Sequence, residues 1–255
     1  MSCRIHLASA LAFITLVFGC NVIAKAGDQS WSQQSSYVST SQMNSKFLAK
    51  DFVAEGNLRK PVWRGVAWVK VDRDAFGPTP FPLSATEIAS LWTPAYVYFA
   101  FRCKYTILNV YEVKDPRKDF WSLWERDVVE VFLNPHPERM RHYYEFEVAP
   151  NNLWIDLEID LDKTPFGNAK WDSGFEHATH VDARNHVWTC EMRIPVAAVN
   201  NTKPLEANTE WRLNFFRADG PGDDTQRRFL SWSPVQSDTH SFHSPWSFGV
   251  IRFVK

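Results

Sequence analysis

The chain has 255 residues, 45% hydrophobic and 22% charged, a length that buries a sizeable core without disulfide staples, with no composition shift that would divide it into two domains. Twenty-eight Lys and Arg against 29 Asp and Glu leave a formal charge of -1, which excludes a long-range pull toward nucleic acid or anionic lipid. The 12 Trp, 19 Phe and 7 Tyr exceed ordinary core demand, so part of this flat apolar surface is expected outside, touching a ligand.

Residues 1–26 read as an export signal: Arg4 in a short basic start, then an apolar run over 7–18 that is too short to span a bilayer. Ala24-Lys25-Ala26 suits ordinary signal peptidase, while Val17-Phe18-Gly19-Cys20 resembles a lipoprotein box with a bulky Phe18. Soluble export, to the periplasm or the medium, is therefore the preferred reading, and a lipid anchor through Cys20 is the alternative. Cys103 and Cys190 are then left to pair, and an oxidising exterior permits their bond as readily as the interior permits two free thiols. Residues 27–45, rich in Ser and Gln, read as a flexible leader, and the folded domain as 46–255.

No repeat and no further transmembrane run follows. Short β-branched and aromatic runs over 96–104, 128–133, 143–148, 153–159, 187–194, 211–216 and 248–254 alternate with turn signals such as Asn134-Pro135, Pro165-Phe166-Gly167 and Asp219-Gly220-Pro221-Gly222. This spacing predicts an all-β fold, a single-domain, two-sheet antiparallel β-sandwich of jelly-roll type. Period two puts Trp188, Cys190, Met192 and Ile194 on a core face, with Thr189, Glu191 and Arg193 on a polar one. It likewise places Tyr143, Glu145 and Glu147 opposite Tyr144, Phe146 and Val148, an arrangement that suits either a solvated face or a sugar site.

The densest chemistry lies over 120–132, where Trp121 and Trp124 sit on a loop feeding a strand. An exposed indole stacks on the apolar face of a pyranose ring, and a carboxylate such as Glu130 accepts bonds from the ring's hydroxyls. A second aromatic cluster, Phe242 and Trp246, occupies a long loop before the last strand.

The order of Leu91-Trp92, the 96–101 run, Trp124-Glu125-Arg126-Asp127-Val128-Val129-Glu130, Tyr144-Glu145-Phe146, the run from Trp188 to Pro195, Asn214, Ser231-Trp232-Ser233 and Phe248-Gly249 resembles the family 9 carbohydrate-binding modules across 46–255. The resemblance implies a β-sandwich that clamps a sugar, commonly the end of a xylan or cellulose chain, between two aromatic rings, with calcium as an optional support of the fold. It implies Trp124 as the first ring, Glu130 as its polar partner and Phe242, in place of a Trp, as the second ring. A binding arginine of the family is replaced here by Glu147, and Arg217 is the candidate substitute donor. A glycoside hydrolase or an envelope protein is the implied macromolecular partner.

Three further readings compete. A glycoside hydrolase would draw its acid and base from Asp127, Glu130, Glu145, Glu147, Asp156 and Glu158, though no G-x-S-x-G, H-E-x-x-H or phosphate loop is present. Metal ligands could come from His177 with His180 or His240 with His243, calcium ligands from Asp72, Asp74, Asp127 and Asp223, and haem ligands from Met140 and Met192. The aromatics could instead meet another protein, with no sugar involved.

Overall fold

A computed structural model describes residues 39–113 and 119–255. The calls on the export signal and on most of the leader lie outside the described residues.

The seven runs expected from the sequence are all strands. In chain order the strands are β1 (Gln42–Phe47), β2 (Val69–Val71), β3 (Thr86–Trp92), β4 (Tyr96–Lys104), β5 (Val128–Asn134), β6 (His142–Val148), β7 (Trp154–Asp160), β8 (Gly167–Asn168), β9 (Glu176–Asp182), β10 (Val187–Pro195), β11 (Glu210–Asp219), β12 (Arg228–Ser231) and β13 (Gly249–Val254). They form one hydrogen-bonded path, β8-β7-β6-β5-β11-β13-β1-β3-β4-β10-β9, with β12 added to β11 and β2 to β3. The path curls until its two halves face each other as a β-sandwich. Phe215 of β11 then meets Phe99 and Phe101 of β4 edge-on, at 5.3 and 5.9 Å between ring centres. Val129, Val131, Leu133 and Phe146 join this core from one half, and Trp188, Cys190 and Met192 from the other.

Two expectations need correction, and one open alternative, the state of the two cysteines, is decided. Strand β1 begins at Gln42, inside the stretch read as a leader, because Met43 and Ser45 are buried between β13 and β3. Its Ser/Gln composition hides a strand whose alternate residues point inward. β1 also runs parallel to both neighbours, so the sandwich is mixed and not purely antiparallel. Cys103 and Cys190 form no disulfide and are buried free thiols; burial pushes Cys103 up to about 11, which keeps it an unreactive thiol.

The outer faces differ most from the reading. Glu191, assigned to a polar face, is buried beneath residues 48–68, a segment of little regular structure that lays Phe52, Leu58 and Trp63 over β3 and β4. Glu191 accepts bonds from Trp63 Nε1 at 2.6 Å and from the Glu55 amide at 2.7 Å, and pairs with Lys60 Nζ at 2.8 Å. One carboxylate thus holds three residues of the cover, beside the bonds of the Phe52 amide to the Tyr98 hydroxyl and of the Thr189 hydroxyl to the Gly56 carbonyl. Glu191→Ala should cost about 3–5 kcal/mol, the usual loss on breaking a buried ion pair, as read by urea denaturation, with residues 48–68 becoming the first site of limited proteolysis. Unchanged stability would mean that the apolar contacts and the remaining hydrogen bonds hold the cover without Glu191.

Candidate functional site

On the other half of the sandwich, the strand period sends Glu130 and Phe132 of β5, Tyr143, Glu145 and Glu147 of β6, Ile155 and Leu157 of β7, and Phe216 and Ala218 of β11 to the outer face. This face is not solvated. Loop residues Ala75, Phe76, Leu123, Val235 and Phe242 close over it and build a second apolar cluster. Between these loops a cleft of about 1130 Å³ stays open, lined on its floor by Glu130, Phe132 and Glu145 and on its walls by Trp121, Trp124, Phe166, Arg227, Phe242 and His243.

Trp121 and Trp124 lie on the loop before β5. Trp121 is 56% exposed, and the two indoles meet edge to face at 5.0 Å. Their loop is tied down from both sides. Arg227 donates Nη2 to the carbonyls of Trp124 at 2.8 Å and Arg126 at 2.7 Å, while its Nη1 reaches Asp224. Asp127 accepts from the amides of Asn109 at 3.2 Å and Gly220 at 2.8 Å; burial raises its pKa to about 6.

Phe242 lines the cleft but is no free plate. Its ring stacks on Phe216 at 4.1 Å and 11°, with Phe76 a further 5.8 Å neighbour, so packing claims the surface that the resemblance assigns to sugar. Arg217 is absent from the cleft altogether. It follows Phe216 in β11 and so points the other way, into the sandwich, where it pairs with Asp219 at 2.5 Å and lies over Trp188. Arg227 is the cleft's arginine in its place.

The three glutamates come together. Register sets Glu130 directly opposite Glu147, and Phe132 opposite Glu145; one oxygen from each carboxyl lies within 4.8 Å of the others. All three are buried. Burial first, and then the neighbouring carboxylates, hold Glu130 and Glu147 well above the usual range, and burial brings Glu145 to about 7.

The remaining candidates separate. Asp72 pairs with Lys70, and Asp74 and Asp223 each accept from an amide two residues on, so with Asp127 they cap loops and gather no cation site. His177 and His180 lie three apart on β9 and therefore face opposite ways. Met192 is in the core while Met140 is largely exposed, so the pair offers no facing axial ligands. The sequence reading passed over Phe166 and Arg227. Phe166 stands 43% exposed on the turn before β8, and an aromatic ring between Pro165 and Gly167 was the available signal.

Comparison with known proteins gives a consistent result. Residues 54–255 match the carbohydrate family 9 binding domain-like family. An extracellular protein of Arthroderma benhamiae is 27% identical over 168 residues, 58% of this chain and 74% of that one. Among solved structures, a protein from Bacteroides uniformis considered to bind carbohydrate superposes with a TM-score of 0.65 at 21% identity, over 83% of this chain and 98% of that one. A family 9 module from Caldicellulosiruptor kristjanssonii in complex with cellotriose gives 0.59 at 17% identity, over 84% and 94%.

His243 offers a pH test of how tightly the cleft wall is packed. Its Nδ1 bonds the Tyr143 hydroxyl at 2.7 Å, its ring lies between Phe132 and Phe166, and burial lowers it to about 4 from an ordinary 6.5. Between those values the unfolded chain takes up a proton that the folded one refuses, so this contribution to stability is whole above about pH 6.5 and is lost as pH falls toward 4. Wild type should therefore lose stability more steeply over that window than His243→Gln, by thermal melting; parallel curves would mean that the ring protonates in place.

Proposed function

Since the chain belongs to the carbohydrate family 9 binding domain-like family, we propose that it is an exported, non-catalytic module that binds β-linked polysaccharide or its oligosaccharides, of the xylan or cellulose class, in the cleft beside Trp121 and Trp124. The observation that carries this reading is the exposed Trp121 indole, set against the half-buried Trp124 above a carboxylate floor. A pyranose laid on the plate buries its axial C–H face and turns its hydroxyls to Glu130 and Glu145, which accept from them. Restraint of the loop by Arg227 and Asp127 lowers the ordering cost of binding. Phe166, which lines the same cleft and is partly exposed, is freer than Phe242 to act as the second ring.

Carboxylate placement also favours holding over cutting. Glycoside hydrolysis needs an acid and a base on either side of the scissile bond, whereas Glu130, Glu145 and Glu147 stand together on one face of the sheet, with one oxygen of each gathered near the others. Export agrees with the extracellular description of the fungal relative. Among the described residues no helix is long and apolar enough to cross a membrane.

Calorimetric titration of the purified protein with xylo- and cello-oligosaccharides and their monomers tests the proposal. Saturable heat is expected, lost in Trp124→Ala, with a stability change well below the roughly 3–5 kcal/mol of a truncated core Trp. Equal affinity for short and long oligomers would identify a chain-end binder. Absence of heat with every sugar would overturn the proposal in favour of a protein partner.

A further inference from the structure

The three glutamates pose a charge problem that the aromatic walls do not solve. Glu147 is 0% exposed, and neither of its carboxyl oxygens, nor Glu145 Oε2, meets an amide, amine or alcohol donor among the described residues; the group within hydrogen-bond reach of Glu147 is the carboxyl of Glu145. Such groups are costly to bury without a partner. Repulsion adds to the cost, because Glu130 and Glu147 are direct cross-strand neighbours, where like charges destabilise a sheet. Arg227, the cation that acts on Glu130, commits both Nη groups to Asp224 and two backbone carbonyls, and only its buried Nε is left without a bond. Every other orientation of these side chains is closed off by the strand period, since the opposite face is the sandwich core.

The donor set has a definite chemistry. It contains oxygen alone, with no His or Cys, as hard divalent cations select. Its span of up to 4.8 Å between oxygens suits ligands that each lie about 2.3–2.6 Å from one Ca²⁺. Two adjacent central strands carry it, so its geometry is rigid. The cluster is also open on one side: Glu130 and Glu145 line the cleft, while Glu147, beside them on the same face, is fully buried.

We propose that the floor of the cleft is a divalent-cation site of the Ca²⁺ class, held by Glu130, Glu145 and Glu147, whose outward coordination positions accept hydroxyl oxygens of the bound sugar. Three carboxylates supply three to six of the roughly six to eight oxygens that Ca²⁺ takes, and the rest come from the cleft side. The cation site stands on the triad; its part in ligand binding rests on the sugar reading above.

Protein stripped with EDTA and titrated with CaCl₂, followed by calorimetry and thermal melting, separates the two. Wild type should bind one Ca²⁺ per chain and melt about 5–10 °C higher at a hundredfold excess over Kd. Glu147→Gln should lose both effects while melting in EDTA at or above wild type, because it removes a buried charge and not a contact to sugar. Glu138→Gln, on an exposed carboxylate, should behave as wild type. No saturable heat and no Ca²⁺-dependent rise up to about 10 mM, tenfold above the roughly 1 mM weak end of such sites, or a rise retained in Glu147→Gln, overturns the site. In the second arm, oligosaccharide affinity should fall at least tenfold when Ca²⁺ is replaced by EDTA. Ca²⁺ binding with sugar affinity unchanged in EDTA overturns the cation's part in recognition; Ca²⁺ binding with no sugar heat in any buffer overturns the sugar reading and leaves the cation site standing.

Discussion

Contact between the inner faces of the curled sheet sets the rest of the molecule. Phe215 meets Phe99 and Phe101 across the sandwich, and Val129, Val131 and Phe146 pack into the same core. Because side chains alternate along a strand, anchoring these residues inward commits Phe216, Glu130, Phe132, Glu145 and Glu147 to the outer face. A one-residue slip would bring carboxylates into the core and apolar rings to the cleft. The cleft floor is therefore as rigid as the core behind it.

Loops then turn this floor into a site. Arg227 and Asp127 spend their polar groups on backbone carbonyls and amides, which holds the Trp121–Trp124 loop in place before any ligand arrives. The segments that carry the family resemblance divide by role. Trp124 and Glu130 line the cleft, whereas Asn214 and Ser233 exchange bonds at 2.9 Å in both directions and lock the connection between β12 and the last strand. Gly249 belongs with them: a Cβ there would lie 2.5 Å from the Trp232 ring and 2.7 Å from the Ser41 carbonyl. Those positions serve packing, and only part of the pattern touches the cleft.

The abundance of aromatic residues has a structural explanation. Both outer faces are covered, so the domain contains three apolar layers and not one: the core between the sheets, the layer under the cleft loops and the layer beneath residues 48–68. Trp63, Trp92, Trp188, Trp211 and Trp246 are buried, and among the described tryptophans Trp121 stands out as exposed. Counting rings in the sequence suggests far more surface aromatics than the molecule presents.

Local pattern was sufficient for seven of the strands, β4, β5, β6, β7, β10, β11 and β13, and for the direction of side chains along each of them. Alternation in Tyr143-Tyr144-Glu145-Phe146-Glu147-Val148 separates the carboxylates from the core residues, and two indoles on a loop before β5 mark the plate, because both signals are carried by neighbours in the chain. What lies across from what belongs to the tertiary structure. Pairing of Glu130 with Glu147, the inward turn of Arg217, the claim of Phe216 on Phe242, and the cover that makes Glu191 a buried anchor all depend on register and on loops distant in sequence. Composition cannot show these, since the burial that gives each residue its role is set by segments tens to more than a hundred residues away.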